Sequence, residues 1–165
     1  MKFTIVRNVT TPKRAHDNDA GIDFFVPTFD EDFLKDLHNK NPESIDKYYV
    51  LGGKLSIYPK ADVLIPSGIK CELPVNTALI AFNKSGVATK KKLVVGAATV
   101  DEGYRGEIHI HLINTSINEV IIEEGDKIVQ FVLIPVIYEK LELVSNEEFN
   151  TNTERCDGGF GSTGK

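Results

Sequence analysis

The sequence predicts an all-β fold of the sandwich, jelly-roll or barrel kind. Three observations carry this. Short apolar runs recur along most of the chain, turn signals separate them, and only one segment has helical periodicity. Residues 2–8 alternate Phe3 and Ile5 in β fashion. Further strands are expected at 22–26, 61–65, 69–73, 78–82, 93–95, 107–114, 120–122, 127–134 and 136–144. Pro66-Ser67-Gly68, Leu73-Pro74-Val75-Asn76 and Glu124-Gly125-Asp126 supply turns between them. Many short strands at this spacing fit a closed or two-layered antiparallel architecture.

The exception begins at Thr28. Thr28 and Glu31 have the spacing of a capping box, and Phe29, Phe33 and Leu37 fall on one helical face beside Leu34. A short helix is expected over 30–39, ended by Asn41-Pro42-Glu43-Ser44. Residues 28–60 then read as an insertion on a β scaffold, within a barrel domain spanning 1–144. From 145 to 165 the chain is polar and is expected to form a mobile C-terminal arm, since it buries little apolar surface.

Composition limits the function. The 165 residues suit one domain with a substantial core. A net charge of −5 gives no general attraction for nucleic acid or acidic membranes, so an anionic ligand needs a local set of donors. No stretch approaches the ~18 apolar residues of a membrane span, and residues 1–8 lack a signal-peptide core. Cys71 and Cys156 have no metal-type spacing, and a reduced, cytoplasmic setting is the simplest expectation.

Several segments carry chemistry. Asn83-Lys84-Ser85-Gly86-Val87-Ala88 follows a strand and offers a cation, a hydroxyl and a glycine for a phosphate-binding turn; an ordinary polar turn uses the same residues. It lacks the Walker spacing. Residues 93–114 read as a long hairpin with Asp101 at a strand end, where a carboxylate can activate water or simply form the turn. Tyr104 can support a sugar ring or pack. His109 and His111 share one face of a strand, as a metal pair or as surface or subunit-contact residues. At the C-terminus, Gly158-Gly159-Phe160-Gly161-Ser162-Thr163-Gly164 joins close-approach glycines to hydroxyl donors and a flat ring, and Arg155 adds a planar cation.

The order of these segments resembles the trimeric dUTP diphosphatase family. Ala20-Gly21-Ile22-Asp23 is similar to its first motif, and 83–88 to its second. Gly96-Ala97-Ala98-Thr99-Val100-Asp101-Glu102-Gly103-Tyr104-Arg105-Gly106 is similar to the third. Gly125-Asp126-Lys127-Ile128-Val129-Gln130 and residues 155–164 are similar to the fourth and fifth. The resemblance implies a jelly-roll-like β-barrel of the trimeric dUTPase type that hydrolyses dUTP to dUMP and pyrophosphate with Mg²⁺.

It also implies residue roles. Asp101 is expected to be the general base for water attack on the α-phosphorus. Backbone groups at Gly96, Ala98 and Val100 are expected to pair with the uracil edge, and Tyr104 to lie beneath the deoxyribose. Lys84, Ser85, Gly86 and Gln130 are expected to hold phosphate oxygens. Arg155, Gly161, Ser162 and Thr163 are expected to close over the β- and γ-phosphates, while Phe160 stacks on uracil. Mg²⁺ is expected on the phosphates and water, with Asp23 contacting its water shell. Each site of the homotrimer is expected to draw motifs one, two and four from one subunit, motif three from a second and the tail from a third.

Three departures stand out. Lys84 replaces an arginine, Ala98 stands where glycine is common, and 28–60 exceeds the usual spacer. Such inserts occur in phage-encoded members, so a phage source fits, with host cytoplasm as the location. The insert is expected to be dispensable for catalysis and is a candidate docking surface for another protein. The alternatives are a dCTP deaminase-like enzyme of the same fold, whose second motif has Arg-Ser-Ser rather than Ser85-Gly86, and a regulatory binding protein without turnover.

Overall fold

The computed structural model describes residues 1–149 and 151–153. In chain order the elements are β1 (Lys2–Ile5), β2 (Ile22–Phe25), α1 (Glu31–Lys40), β3 (Tyr48–Leu51), β4 (Lys54–Ile57), β5 (Asp62–Pro66) and β6 (Ile69–Glu72). There follow β7 (Thr77–Phe82), β8 (Leu93–Val95), β9 (Thr99–Val100), β10 (His109–Asn114), β11 (Val120–Glu123) and β12 (Lys127–Pro135). The all-β expectation holds. Among the described residues every strand pairing is antiparallel, in four sheets ordered β1-β6, β5-β10-β8, β11-β4-β3 and β2-β12-β7-β9.

These sheets enclose one core. Alternation builds it: in β10, Ile110, Leu112 and Asn114 face inward while His109, His111 and Ile113 lie on the outer, half-buried side. Phe24 of β2 meets Phe131 of β12 with ring centroids 4.4 Å apart. Leu79, Val63, Ile65, Leu55 and Ile57 fill the space around them.

The helix forms where periodicity placed it, but its cap differs. Asp30, not Thr28, is the N-cap, and its carboxylate accepts the Phe33 N–H at 2.9 Å. Phe33 and Leu37 are fully buried. At the other end, the Asn41 side chain donates to the Leu37 and Leu64 carbonyls and accepts the Leu64 N–H. One amide therefore ends the helix and ties it to β5.

Residues 28–60 are more than a helical decoration. They include β3 and β4, and β4 pairs with β11, which puts Leu55 and Ile57 in the core. The expected strand over 136–144 does not form. Its alternating Ile137, Leu141 and Leu143 are exposed, at 83%, 101% and 100%. Alternation makes a strand only when an edge is there to receive its hydrogen bonds.

Candidate active site

Three separate stretches of sequence converge on one cleft of about 510 Å³. Ala20, Gly21 and Asp23 come from the approach to and start of β2, Asn83 and Lys84 from the loop after β7, and Gln130 from β12. The sheet order explains this, because β12 runs between β2 and β7, with Gln130 opposite both Asp23 and Phe82. The Gln130 side chain donates to the Asn83 carbonyl at 2.9 Å. It crosses directly over Gly21, where an added Cβ would lie 2.2 Å from Gln130 Oε1. A glycine is required there for the cleft to keep this shape.

Asp23 is buried, and both its oxygens are engaged. One accepts the Lys84 ammonium, and the other lies 3.2 Å from Lys127 Nζ. Lys127 also sits 5.6 Å from the centroid of the Phe25 ring. Ser85 and Gly86 are exposed and lead into a π-helical turn, Val87–Lys91, closed by Lys92 at φ +58°. The loop is anchored by Asn83 Oδ1, which accepts the Val95 N–H at 2.7 Å.

The long hairpin forms with a change of partner inside it. β8 pairs with β10, but β9 pairs with β7. The Gly96 N–H still bonds the His111 carbonyl, and the Ala98 carbonyl accepts the Ala81 N–H from β7. Ala98 is not among the residues with positive φ, so alanine takes this place without strain. Asp101 follows β9, is exposed, and shares a cavity of about 230 Å³ with Thr99, Val100, Tyr104, Ile108 and His109. The Tyr104 hydroxyl donates to the Glu107 carbonyl at 2.8 Å. Gly106 admits the ring, since a Cβ there would lie 2.4 Å from that hydroxyl.

Behind Tyr104 lies a charged network. Arg7 donates to both oxygens of Glu107, at 2.7 and 2.9 Å, and to Asp36 of α1 at 2.7 Å. The bidentate bond to Glu107 holds the guanidinium above its ordinary pKa, against the opposing effect of burial. His109 Nε2 lies 3.1 Å from Asp36, and Asp36, Glu107 and His109 form a compact group. Arg7 bonds both carboxylates, so the group is tied into an ion-pair network in which one guanidinium faces two acids.

The dUTPase family model matches residues 50–164. The chain belongs to the dUTPase family. Relatives agree along its length. A deoxyuridine 5′-triphosphate nucleotidohydrolase of Hydrogenobaculum sp. is 47% identical over 110 residues, 66% of this chain and 74% of the relative. Another, from Alkaliphilus metalliredigens, is 36% identical over 167 residues, covering 99% and 96%. The fold matches the dUTPase of Staphylococcus bacteriophage 80alpha solved with dUpNHpp, with a TM-score of 0.76 at 22% identity over 99% and 98% of the two chains. It also matches the dUTPase mutant of phage phi11 of S. aureus described with a structural Mg(II) ion, with a TM-score of 0.69 at 21% identity over 90% and 98%.

Within this dUTPase the expected residues fall into two groups. Asp23, Lys84 and Gln130 line the first cleft, and Ser85 and Gly86 adjoin it. Val100, Asp101 and Tyr104 line the second cavity, and Gly96 and Ala98 lie in the link between β8 and β9 that leads to it. Arg155, Phe160, Gly161, Ser162 and Thr163 lie outside the described residues. Sequence reasoning missed Lys127 as a partner of Asp23 and missed Arg7, Asp36 and Asp62. Their partners lie far away in sequence, and only strand register brings them together.

Proposed function

We propose that the chain hydrolyses dUTP to dUMP and pyrophosphate, which limits uracil entry into DNA and supplies dUMP for thymidylate synthesis. The observation that carries this is the placing of Asp101 and Tyr104 on one cavity, beside the crossing from β8 to β9, in a chain of the dUTPase family. Asp101 takes a proton from water as the water oxygen bonds the α-phosphorus. The bond from that phosphorus to the bridging oxygen breaks, and pyrophosphate leaves. Gly96, Ala98 and Val100 present backbone groups to uracil, and Tyr104 underlies the deoxyribose. Lys84, Ser85, Gly86 and Gln130 hold phosphate oxygens, and Arg155, Phe160, Gly161, Ser162 and Thr163 close the site.

Mg²⁺ is the implied cofactor; when bound, it offsets charge on the phosphates and the leaving pyrophosphate. Asp23 is already paired with two ammoniums, and the described residues lining the first cleft offer no dense cage of free carboxylates. This donor set fits an ion that arrives on the triphosphate and keeps its waters.

The site is shared within a homotrimer. Support comes from the separation of the motifs: the first, second and fourth line one cleft, and the third lines another. The exposed row of Ile137, Leu141 and Leu143 offers a neighbouring chain an apolar edge. The enzyme acts in the cytoplasm, that of the host if it is phage-encoded, and the surface of 28–60 is a docking face for another protein.

Pyrophosphate release from dUTP, dCTP, dTTP and UTP, measured in parallel, tests the reading. Release from dUTP far above the others is expected. Ammonia release from dCTP would move the chain to the deaminases, and no turnover at all would make it a binding protein.

A further inference from the structure

His111 stands in the middle of β10, opposite Leu64 of β5. Its Nδ1 accepts the N–H of Ala97 at 2.9 Å, and its Nε2 lies 3.0 Å from Asp62 Oδ2. A ring nitrogen that accepts from an amide carries no proton. The imidazole proton therefore sits on Nε2 and is donated to Asp62, which fixes the tautomer. Asp62 is opposite Ile113, two residues along from Leu64, so the pair is a diagonal contact on the outer face of the sheet. The ring also packs against Gly96, where a Cβ would lie 2.2 Å from Nδ1.

The position of this contact gives it meaning. The Gly96 N–H bonds the His111 carbonyl, and the Ala98 carbonyl bonds β7. Between them the chain leaves one sheet for another. Ala97 is the residue at the crossing, and its N–H is satisfied by a side chain in place of a strand. Gly96 is the small residue that lets the histidine reach it.

We infer that His111 is a positioning residue for base selection, with Asp62 orienting its ring. It holds the backbone of 96–98 in the one placement that presents its groups to the uracil edge. This rests on the reading that the hairpin recognises the base. The paired histidines thus have separate tasks: His109 belongs to the Arg7 network behind Tyr104, and His111 clamps the hairpin.

Two substitutions separate the ring's atoms. Asparagine places an acceptor near the position of Nδ1 but loses Asp62. Glutamine places an amide nitrogen near Nε2, keeps Asp62 and offers Ala97 no acceptor. In the full-length enzyme, His111→Gln is expected to raise KM for dUTP and cut the dUTP-to-dCTP ratio of kcat/KM by roughly tenfold, with kcat little changed. His111→Asn is expected to stay within about threefold of the parent on both measures. Hydrogen exchange at the Ala97 amide gives a readout apart from activity, and should speed up roughly tenfold in His111→Gln and not in His111→Asn. Unchanged Ala97 exchange in His111→Gln, or equal losses in both variants, would overturn the inference. Exchange that splits as expected while the dUTP-to-dCTP ratio stays fixed would uphold the clamp and overturn the hairpin as the reader of the base.

Discussion

Asp23, buried on β2, is bonded by the ammonium of Lys84 from the loop after β7 and lies 3.2 Å from that of Lys127 on β12. One carboxylate thus draws together the three strands that frame the first cleft. Removing it would leave two ammoniums facing each other without an anion. Asp23→Ala is expected to cost about 2–3 kcal/mol, less than the ~3–5 kcal/mol of a fully buried pair because both lysines reach solvent. Urea denaturation at a fixed protomer concentration measures it. An unchanged midpoint would show that the three groups contribute nothing net.

The second prediction concerns α1. Phe33 and Leu37 are fully buried, and Leu55 and Ile57 of the same segment complete the core. Phe33→Ala should lose about 3–5 kcal/mol and Leu37→Ala about 2–5 kcal/mol. Replacing 28–60 by a short Gly/Ser link should therefore yield no soluble folded protein, contrary to the dispensability that sequence alone suggests. A folded, active product from that deletion would show that the remaining strands close a core of their own.

Asp101 gives the third. Asp101→Asn is expected to reduce turnover by ~10²–10⁴-fold or more while nucleotide binding, followed by calorimetry, persists. The same variant tests site sharing. A tail of about 20 residues, fully extended, spans up to ~65–70 Å, enough to reach a neighbouring subunit. Mixing Asp101→Asn with a chain truncated after Asn146, by co-refolding, should restore activity that neither homotrimer has. Mixed trimers that stay inactive would put base and tail in one chain.

The fourth concerns the sugar. The Tyr104 ring is fixed by its hydroxyl bond to the Glu107 carbonyl and by its passage over Gly106. Preference for dUTP over UTP in kcat/KM should fall by roughly 10–100-fold in Tyr104→Ala. Tyr104→Phe keeps the ring and should keep most of the preference. Equal kcat/KM for the two nucleotides in the parent enzyme would remove Tyr104 from that position.

Local periodicity and the order of the motifs were legible in the sequence. Alternation marked most strands, Phe33 and Leu37 marked the buried face of α1, and the sequence from Ala20 to Gly164 marked the family. Tertiary structure decided the rest. Lys54–Ile57 became a core strand because β11 offered it an edge, while 136–144, equally alternating, found none among the described residues of its own chain. Asp23 gained its lysines, and His111 gained Asp62 and Ala97, through register between strands far apart in sequence. Periodicity says which face a side chain takes. Only the pairing of strands says which distant residue stands beside it, because that depends on where two edges meet and not on either edge alone.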